Sequence, residues 1–231
     1  MKLIVLAAGK GTRFLPLTNT IPKGMVPILG KPLLEWALEP YLAHVDEIVF
    51  VVSSPLGEKI KAHFGDNYKG HKISYTLQKE QKGTLDAVFM CRDAIAPGEL
   101  FCVMNGDDLV LEEDVKNALS KKMIGIGVSE KVMPKNYLGI EIKGEYAAGF
   151  KRHDDILDDK VRDVFYTGFS ILDSRIFDFA PVMTRDGEMG LPQTLFAHLD
   201  TYPLRIFNFK AWETVNGPLD VPGAENFLNN L

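Results

Sequence analysis

Short apolar runs alternate with helix-period segments through the first half of this chain, an order that predicts a parallel sheet covered by helices. Lys2 to Leu6 (KLIVL) is short, apolar and rich in branched side chains, so it reads as a strand buried on both faces. Glu47 to Ser53 (EIVFVVS), Lys72 to Leu77 and Leu100 to Met104 read as further strands, with helices over Pro32 to Ala43, Leu56 to Phe64 and Thr84 to Ala94. From about Met123 the texture changes. The stretches IGIGV, YLGIEI, YAAGF and VFYTGFSILD are strand-like and joined by polar turns, which predicts a small mixed or antiparallel sub-lobe suited to covering a substrate. A helix from about Leu191 to Leu199, a strand at Pro203 to Phe209 and a terminal helix from about Pro222 complete an α/β pattern with no repeats. The apolar segment Leu33 to Leu42 fits a core helix as well as an interface, so it leaves the oligomeric state open.

Composition narrows this picture modestly. A length of 231 residues, 46% hydrophobic and 25% charged, is enough for one sizeable core, so one domain over 1–231 is expected. The net charge of −5 excludes a general nucleic-acid binder, which needs a basic face, and makes any anion site a local one. Cys91 and Cys102 lie in apolar segments and read as buried free thiols of a reducing cytoplasm. The N-terminal apolar run is interrupted by Gly9, Lys10 and Arg13, too early for a signal peptide or membrane span, so a cytoplasmic protein with no membrane partner is expected. His44, His63, His71, His153 and His198 show no metal-ligand spacing and read as structural or surface residues.

The chemistry concentrates in the turn after the first strand. Small residues Ala7, Ala8 and Gly9 let a ligand approach the backbone, and Gly9 and Gly11 permit a turn whose N–H groups converge on an anion such as phosphate. Arg13 and the Pro22-Lys23 pair add two cations close by. Ligands in open parallel sheets sit beyond the carboxyl ends of the strands, which places QKEQKGT (Gln78 to Thr84) and Asn105-Gly106-Asp107-Asp108 on the same rim. A dinucleotide fingerprint fails because the third glycine of GxGxxG falls at Phe14, and no GxxxxGK[ST] occurs.

LAAGKGTRFLPLT followed by PKGMVPILGKPLLEW resembles the signature of sugar-1-phosphate nucleotidyltransferases. The likeness continues through Gln78, Gly83-Thr84, Gly106-Asp107, Tyr137-Leu138-Gly139, Thr167-Gly168, Glu188 and Glu213-Thr214-Val215-Asn216, in the family's order and over almost the whole chain. It implies a Rossmann-like, mostly parallel central sheet flanked by helices with the small mixed sub-lobe, the nucleotide-diphospho-sugar transferase fold. Residues 1–120 then form a nucleotide-binding half and 121–231 a sugar-phosphate-binding half. It further implies a catalytic domain ending without the hexapeptide-repeat acyltransferase domain fused to some relatives.

The implied reaction joins an NTP to a sugar 1-phosphate and releases pyrophosphate. A phosphate oxygen attacks the α-phosphorus in line, so catalysis is mainly positioning and charge neutralisation, and the acceptor phosphate is already largely ionised. By resemblance, Arg13 grips the β- and γ-phosphates, helped by the backbone of Gly9 to Thr12, and Lys23 stabilises charge at the α-phosphate. Leu6, Ala8, Gly9, Gly11, Thr12, Gln78, Gly83 and Thr84 form the nucleotide site, in which the Gln78 amide matches the edge of a pyrimidine dione. Mg²⁺ is the expected cofactor, with Asp107 as first ligand and Asp108 as the alternative.

The second ligand follows the N-acetylglucosamine-1-phosphate uridylyltransferase branch. Trp212-Glu213-Thr214 lacks the Asp of a Trp-x-Asp motif, whereas EXVN at Glu213 to Asn216 resembles that branch, and the resemblance implies Asn216 as the metal oxygen and tilts the nucleotide from dTTP toward UTP. On the acceptor side Gly139, Lys151, Thr167 and Glu188 are the implied contacts. There the family's Glu-Lys is replaced by Phe150-Lys151-Arg152, and the Asn before Thr-Gly by Tyr166. Those departures leave room for a non-sugar phosphate such as phosphocholine with CTP, or for a non-catalytic nucleotide sensor.

Overall fold

A computed structural model describes residues 1–134, 137, 139–151, 153 and 157–231. Leu138 and Arg152, both quoted in the resemblance, lie outside the described residues. In chain order the strands are β1 (Lys2–Leu6), β2 (Pro27–Ile28), β3 (Lys31–Pro32), β4 (Glu47–Val52), β5 (Asn67–Tyr68), β6 (His71–Leu77) and β7 (Leu100–Asn105). They continue with β8 (Asp108–Val110), β9 (Gly125–Pro134), β10 (Gly139–Lys143), β11 (Tyr146–Lys151), β12 (Lys160–Asp173), β13 (Arg205–Asn208) and β14 (Trp212–Thr214). The α-helices are α1 (Leu33–Leu38), α2 (Gly57–Phe64), α3 (Thr84–Phe89), α4 (Glu112–Ser120), α5 (Leu191–Ala197) and α6 (Val221–Asn229).

Ten strands form one sheet in the order β10-β11-β13-β9-β12-β7-β1-β4-β6-β5. Its centre, β7-β1-β4-β6, is parallel, and β12 joins β7 antiparallel. Strands β9 to β13 therefore extend the central sheet rather than stacking on it as a second layer, while β14 pairs with β8 apart from it. Strand β1 is buried on both faces, as its unbroken apolar run requires. Leu3 and Val5 join a core with Leu34 and Leu38 of α1 and Val115 of α4, while Ile4 joins Leu85 of α3 and Leu195 of α5 on the other side. Leu33, Leu34, Ala37 and Leu38 are fully buried, which assigns the apolar face of α1 to the core.

Two boundaries differ from the sequence reading. The segments expected as continuous helices after Pro32 and Thr84 end early and pass into 3₁₀ turns at Glu39–His44 and Arg92–Ala94. Pro40 removes an N–H that an α-helix continuing from Leu38 would use, and the tighter turn accommodates it. Helix α4 has no counterpart in the sequence reading; its first turn carries Glu112, Glu113 and Asp114, and its buried stripe is mainly Val115, Ala118 and Leu119.

The register sets the site. Leu6, Val51 and Asn105 are paired across β1, β4 and β7, so these strands end level with one another. The Gly106 N–H then donates to the Leu6 carbonyl (3.0 Å) and the Gln78 N–H to the Val52 carbonyl (2.9 Å), holding the β7 and β6 loops against the rim. Beyond the rim, β8 pairs with β14 and the Val215 N–H donates to the Asp107 carbonyl (2.9 Å), which brings the Asn216 loop beside Asp107. No helix among the described residues is long and apolar enough to cross a membrane.

Candidate active site

Two cavities open at the carboxyl ends of the parallel strands, one of about 480 Å³ and one of about 1100 Å³. Five residues line both, namely Arg13, Asn105, Asp107, Glu188 and Asn216, and all five are polar. The cavities thus meet at a junction able to hold phosphates.

The turn after β1 forms one wall of the smaller cavity. Gly11 sits at φ +62°, in the left-handed region that glycine adopts without penalty, and a Cβ there would lie 2.9 Å from Thr18 Cγ2 and 3.0 Å from Lys23 Cβ. Thr18, itself buried, donates its hydroxyl to the Gly11 carbonyl (2.8 Å) and braces the turn. Gly9 lines the same cavity, and a Cβ on it would meet nothing within 4 Å, so packing does not demand a glycine there. An open approach to the backbone does. Leu6, Ala8, Thr12, Gly83 and Thr84 complete this cavity as expected, and Lys10, which the motif reading passed over, adds a further cation.

Arg13 stands in a 3₁₀ turn anchored by buried Phe14 and makes no ion pair with another described residue, so its guanidinium is available to an anion. Lys23 follows Pro22 in a second 3₁₀ turn, packed in place because Gly24 lies against Leu34 of α1. Its ammonium is ion-paired with the Asp107 carboxylate, and only Asp107 of the two lines the cavities.

Gln78 is buried rather than solvated. Its NH₂ donates to the Gly83 carbonyl (3.1 Å) and Asp86 Oδ2 (2.8 Å), and both partners are acceptors only, so the carbonyl oxygen is what remains for a ligand. Gln81, a residue the sequence reading missed, donates to the Ala8 carbonyl (2.8 Å) and lines the same cavity. Its signal was an amide three residues on in the same polar loop.

At the junction, the Asn216 amide is oriented by its neighbours. Its NH₂ faces Tyr137 Oη (3.4 Å) and Thr214 Oγ1 (3.3 Å), while Asp220 Oδ2 accepts from the N–H groups of Asn216 and Gly217 (both 2.8 Å). Among the described residues the side-chain carbonyl of Asn216 accepts no hydrogen bond, and Asn216 lines the same two cavities as Asp107. Asp108 is turned away from a metal-ligand role, since it accepts from Trp212 Nε1 (2.9 Å) and Asn105 Nδ2 (2.8 Å) in a buried position. Burial, and then the neighbouring Asp107 charge, raise its carboxyl well above the ordinary carboxylate range. Gly168, at φ +77°, leaves the space that this carboxylate occupies.

The larger cavity collects Glu188 but not the other expected acceptor contacts. Lys151 lies on an exposed strand end with its ammonium on Asp163 Oδ1 (2.9 Å), and Gly139 packs against Asp163 and His153. Thr167 is buried beside Gly127, its hydroxyl without a partner among the described residues, and does not line the cavity. The cavity's walls carry the rings of Tyr137, Phe150, Phe165, Tyr166, Phe196 and Trp212 together with the polar His153, Thr184, Arg185, Asp186 and Gln193. Of these rings the sequence reading singled out only Tyr137, Phe150, Tyr166 and Trp212, because Phe165 and Phe196 look like ordinary core residues until the chain is folded. No group of three or more His, Cys, Asp or Glu suited to a metal occurs among the described residues. Cys91 and Cys102 are free and buried.

Comparison with known proteins places this arrangement. The family model described as nucleotidyl transferase matches residues 2–133. The chain is 31% identical over 239 residues to the bifunctional protein GlmU of Methanococcus vannielii, a match covering 100% of this chain and 56% of that protein. It is 42% identical over 109 residues to the UTP–glucose-1-phosphate uridylyltransferase AglF of Haloferax volcanii, covering 47% of this chain and 44% of that protein. The chain thus spans about half the length of the GlmU relative. A solved UDP-glucose pyrophosphorylase complexed with UDP-glucose superposes with a TM-score of 0.82 at 21% identity, covering 99% of this chain and 98% of that one, a likeness of fold.

Proposed function

Because the chain belongs to the nucleotidyl transferase family, we propose that it transfers a nucleotidyl group from an NTP, UTP in preference, to a sugar 1-phosphate, forming a nucleotide sugar and pyrophosphate. The observation that carries this reading is the junction. Arg13, Asp107, Glu188 and Asn216 line a nucleotide-sized cavity and a second cavity at once, so an α-phosphate held there can be reached by an acceptor from the other side. An oxygen of the acceptor phosphate forms a bond to the α-phosphorus, and the bond from that phosphorus to the bridging oxygen of pyrophosphate breaks. Arg13 and the converging N–H groups of the Gly9–Thr12 turn hold the departing phosphates, and Lys23, set behind the junction on the cavity-lining Asp107, adds positive charge toward the α-phosphate. No proton need be removed from an acceptor phosphate already ionised near neutral pH.

The Asp107 carboxylate and the side-chain carbonyl of Asn216 are hard oxygen donors and fit Mg²⁺, which takes few protein ligands and completes its shell with water and phosphate. When bound, the ion neutralises phosphate charge. The preference for UTP rests on Gln78, whose remaining carbonyl suits the ring N–H of uracil, and on the second N–H of the Gln81 amide as a donor to a ring carbonyl. A pyrophosphate-release screen of the common NTPs against a panel of sugar 1-phosphates, with Mg²⁺ present, tests the reading. UTP with a sugar 1-phosphate should release pyrophosphate, and Lys23→Ala should abolish release while the protein stays folded. Silence across the panel despite NTP binding would leave a nucleotide sensor instead.

A further inference from the structure

Asp107 and Asn216 reach the junction from the two strands of one small sheet. Asp107 immediately precedes β8 and is joined through Gly106 to β7, so the central sheet fixes its place. Asn216 follows β14, which lies outside the ten-stranded sheet and pairs with β8 as Trp212 opposite Val110, Glu213 opposite Leu109 and Thr214 opposite Asp108. A two-stranded ladder is marginal by itself, so whatever else grips β14 decides where Asn216 stands.

A side chain of the central sheet provides that grip. Lys131 of β9 extends its ammonium to the Trp212 carbonyl (2.9 Å) and to Glu213 Oε2 (2.5 Å), and stands 5.4 Å from the centre of the Trp212 ring. Trp212 Nε1 donates to Asp108 (2.9 Å), so the start of β14 is held at both ring and carbonyl. The side chains of Lys131 and Glu213 are only 22% and 25% exposed, and solvent screens such a pair little. Neither residue lines a cavity, whereas their neighbours Trp212, Thr214 and Asn216 all line the larger one. The pair therefore acts on a ligand through the strand and not by contact.

We propose that Lys131 is a positioning residue for the metal site, which with Glu213 sets β14 against β9 and so holds Asn216 at the junction with Asp107. This rests on the nucleotidyl-transfer reading above and on Asn216 as a metal oxygen. Without the ammonium, the Trp212 carbonyl and the Glu213 carboxylate lose a shared partner, and β14 gains freedom to shift beside β8.

The test follows the metal directly. Mn²⁺ is titrated into protein with UTP and no acceptor, its binding read from the relaxation rate of solvent water protons, and the Mg²⁺ requirement of pyrophosphate release is measured in parallel. Lys131→Met, which keeps an apolar stem on Trp212 and removes the charge, should weaken Mn²⁺ binding about tenfold, the scale of losing a supporting group at a metal site. Glu213→Gln should do the same, and the double variant should lose no more than the larger single loss, because both changes remove one interaction. Lys131→Arg, which keeps a cation, should recover most of the affinity. In every variant kcat at saturating Mg²⁺ should stay within about threefold of the parent, since neither side chain touches the reacting groups. Unchanged Mn²⁺ binding in folded Lys131→Met and Glu213→Gln overturns the positioning role. Additive losses in the double variant, or a Lys131→Arg protein as weak as Lys131→Met, do so too. Should Lys131→Met fail to fold, Glu213→Gln decides alone. A parent that binds Mn²⁺ and UTP but releases no pyrophosphate with any sugar 1-phosphate overturns the transfer reading instead.

Discussion

Adding one methyl group to Gly11 or to Gly9 should separate the structural from the ligand-facing glycine of the β1 turn. In Gly11→Ala the new Cβ stands in left-handed backbone at φ +62°, which costs an L-residue about 1–2 kcal/mol. It also falls 2.9 Å from Thr18 Cγ2 and 3.0 Å from Lys23 Cβ, closer than carbon atoms tolerate, and overpacking of this kind adds about 1–3 kcal/mol. A total of about 2–5 kcal/mol lowers the Tm of a domain of this size by roughly 4–20 °C. The displaced Lys23 should cost activity as well, since misplacing a reacting group by an ångström costs about a hundredfold. Gly9→Ala meets no atom within 4 Å and its φ is not positive, so stability should stay within about 0.5 kcal/mol of the parent. Its methyl nevertheless projects into the nucleotide cavity and should weaken NTP binding. Thermal denaturation and calorimetric UTP titration of both variants provide the check. A Gly11→Ala protein as stable as the parent, or a Gly9→Ala protein binding UTP equally well, would refute the assignment of the two glycines.

Other expectations follow from the same geometry. Asn216→Asp should lower the Mg²⁺ concentration for half-maximal activity and Asn216→Ala raise it about tenfold or more, the scale of losing a supporting group at a metal site; an unchanged Mg²⁺ titration removes Asn216 from the metal site. Burial raises the Asp163 carboxyl, but His153, Lys151 and the Val164 N–H together outweigh burial and hold it below its ordinary value of 3.8. A depressed carboxylate contributes stability that is complete above that ordinary value and lost as pH falls through the lower folded one. The Tm difference between parent and Asp163→Asn should therefore close as pH falls below the ordinary carboxylate value of 3.8; a gap that persists in strong acid contradicts the ion-pair account. Burial pushes the Cys91 thiol up to about 11 and the Cys102 thiol up as well, so neither should react with a thiol reagent at neutral pH until the protein unfolds. Rapid labelling of the native protein would count against this packing.

The parts of this protein written in local sequence are those whose physics is local. An unbroken apolar run such as Lys2–Leu6 has few stable alternatives to a strand covered on both sides, and Gly11 permits the left-handed turn found at φ +62°. The order of Arg13, Lys23, Gln78, Asp107 and Asn216 carried the family resemblance, because such residue types in that sequence are what the family's pattern holds. Helix α4 was illegible for the opposite reason, its acid-rich first turn looking solvated until the core claims Val115, Ala118 and Leu119. The expected acceptor contacts Lys151 and Thr167 were placed by motif alone, and strand pairing carried one to Asp163 and the other into the interior. Tertiary structure alone decided that β9 to β13 extend the central sheet and that Phe150 meets Phe196. Such pairings join residues far apart in the chain, so only the register of the sheet and the packing of helices on it bring them together.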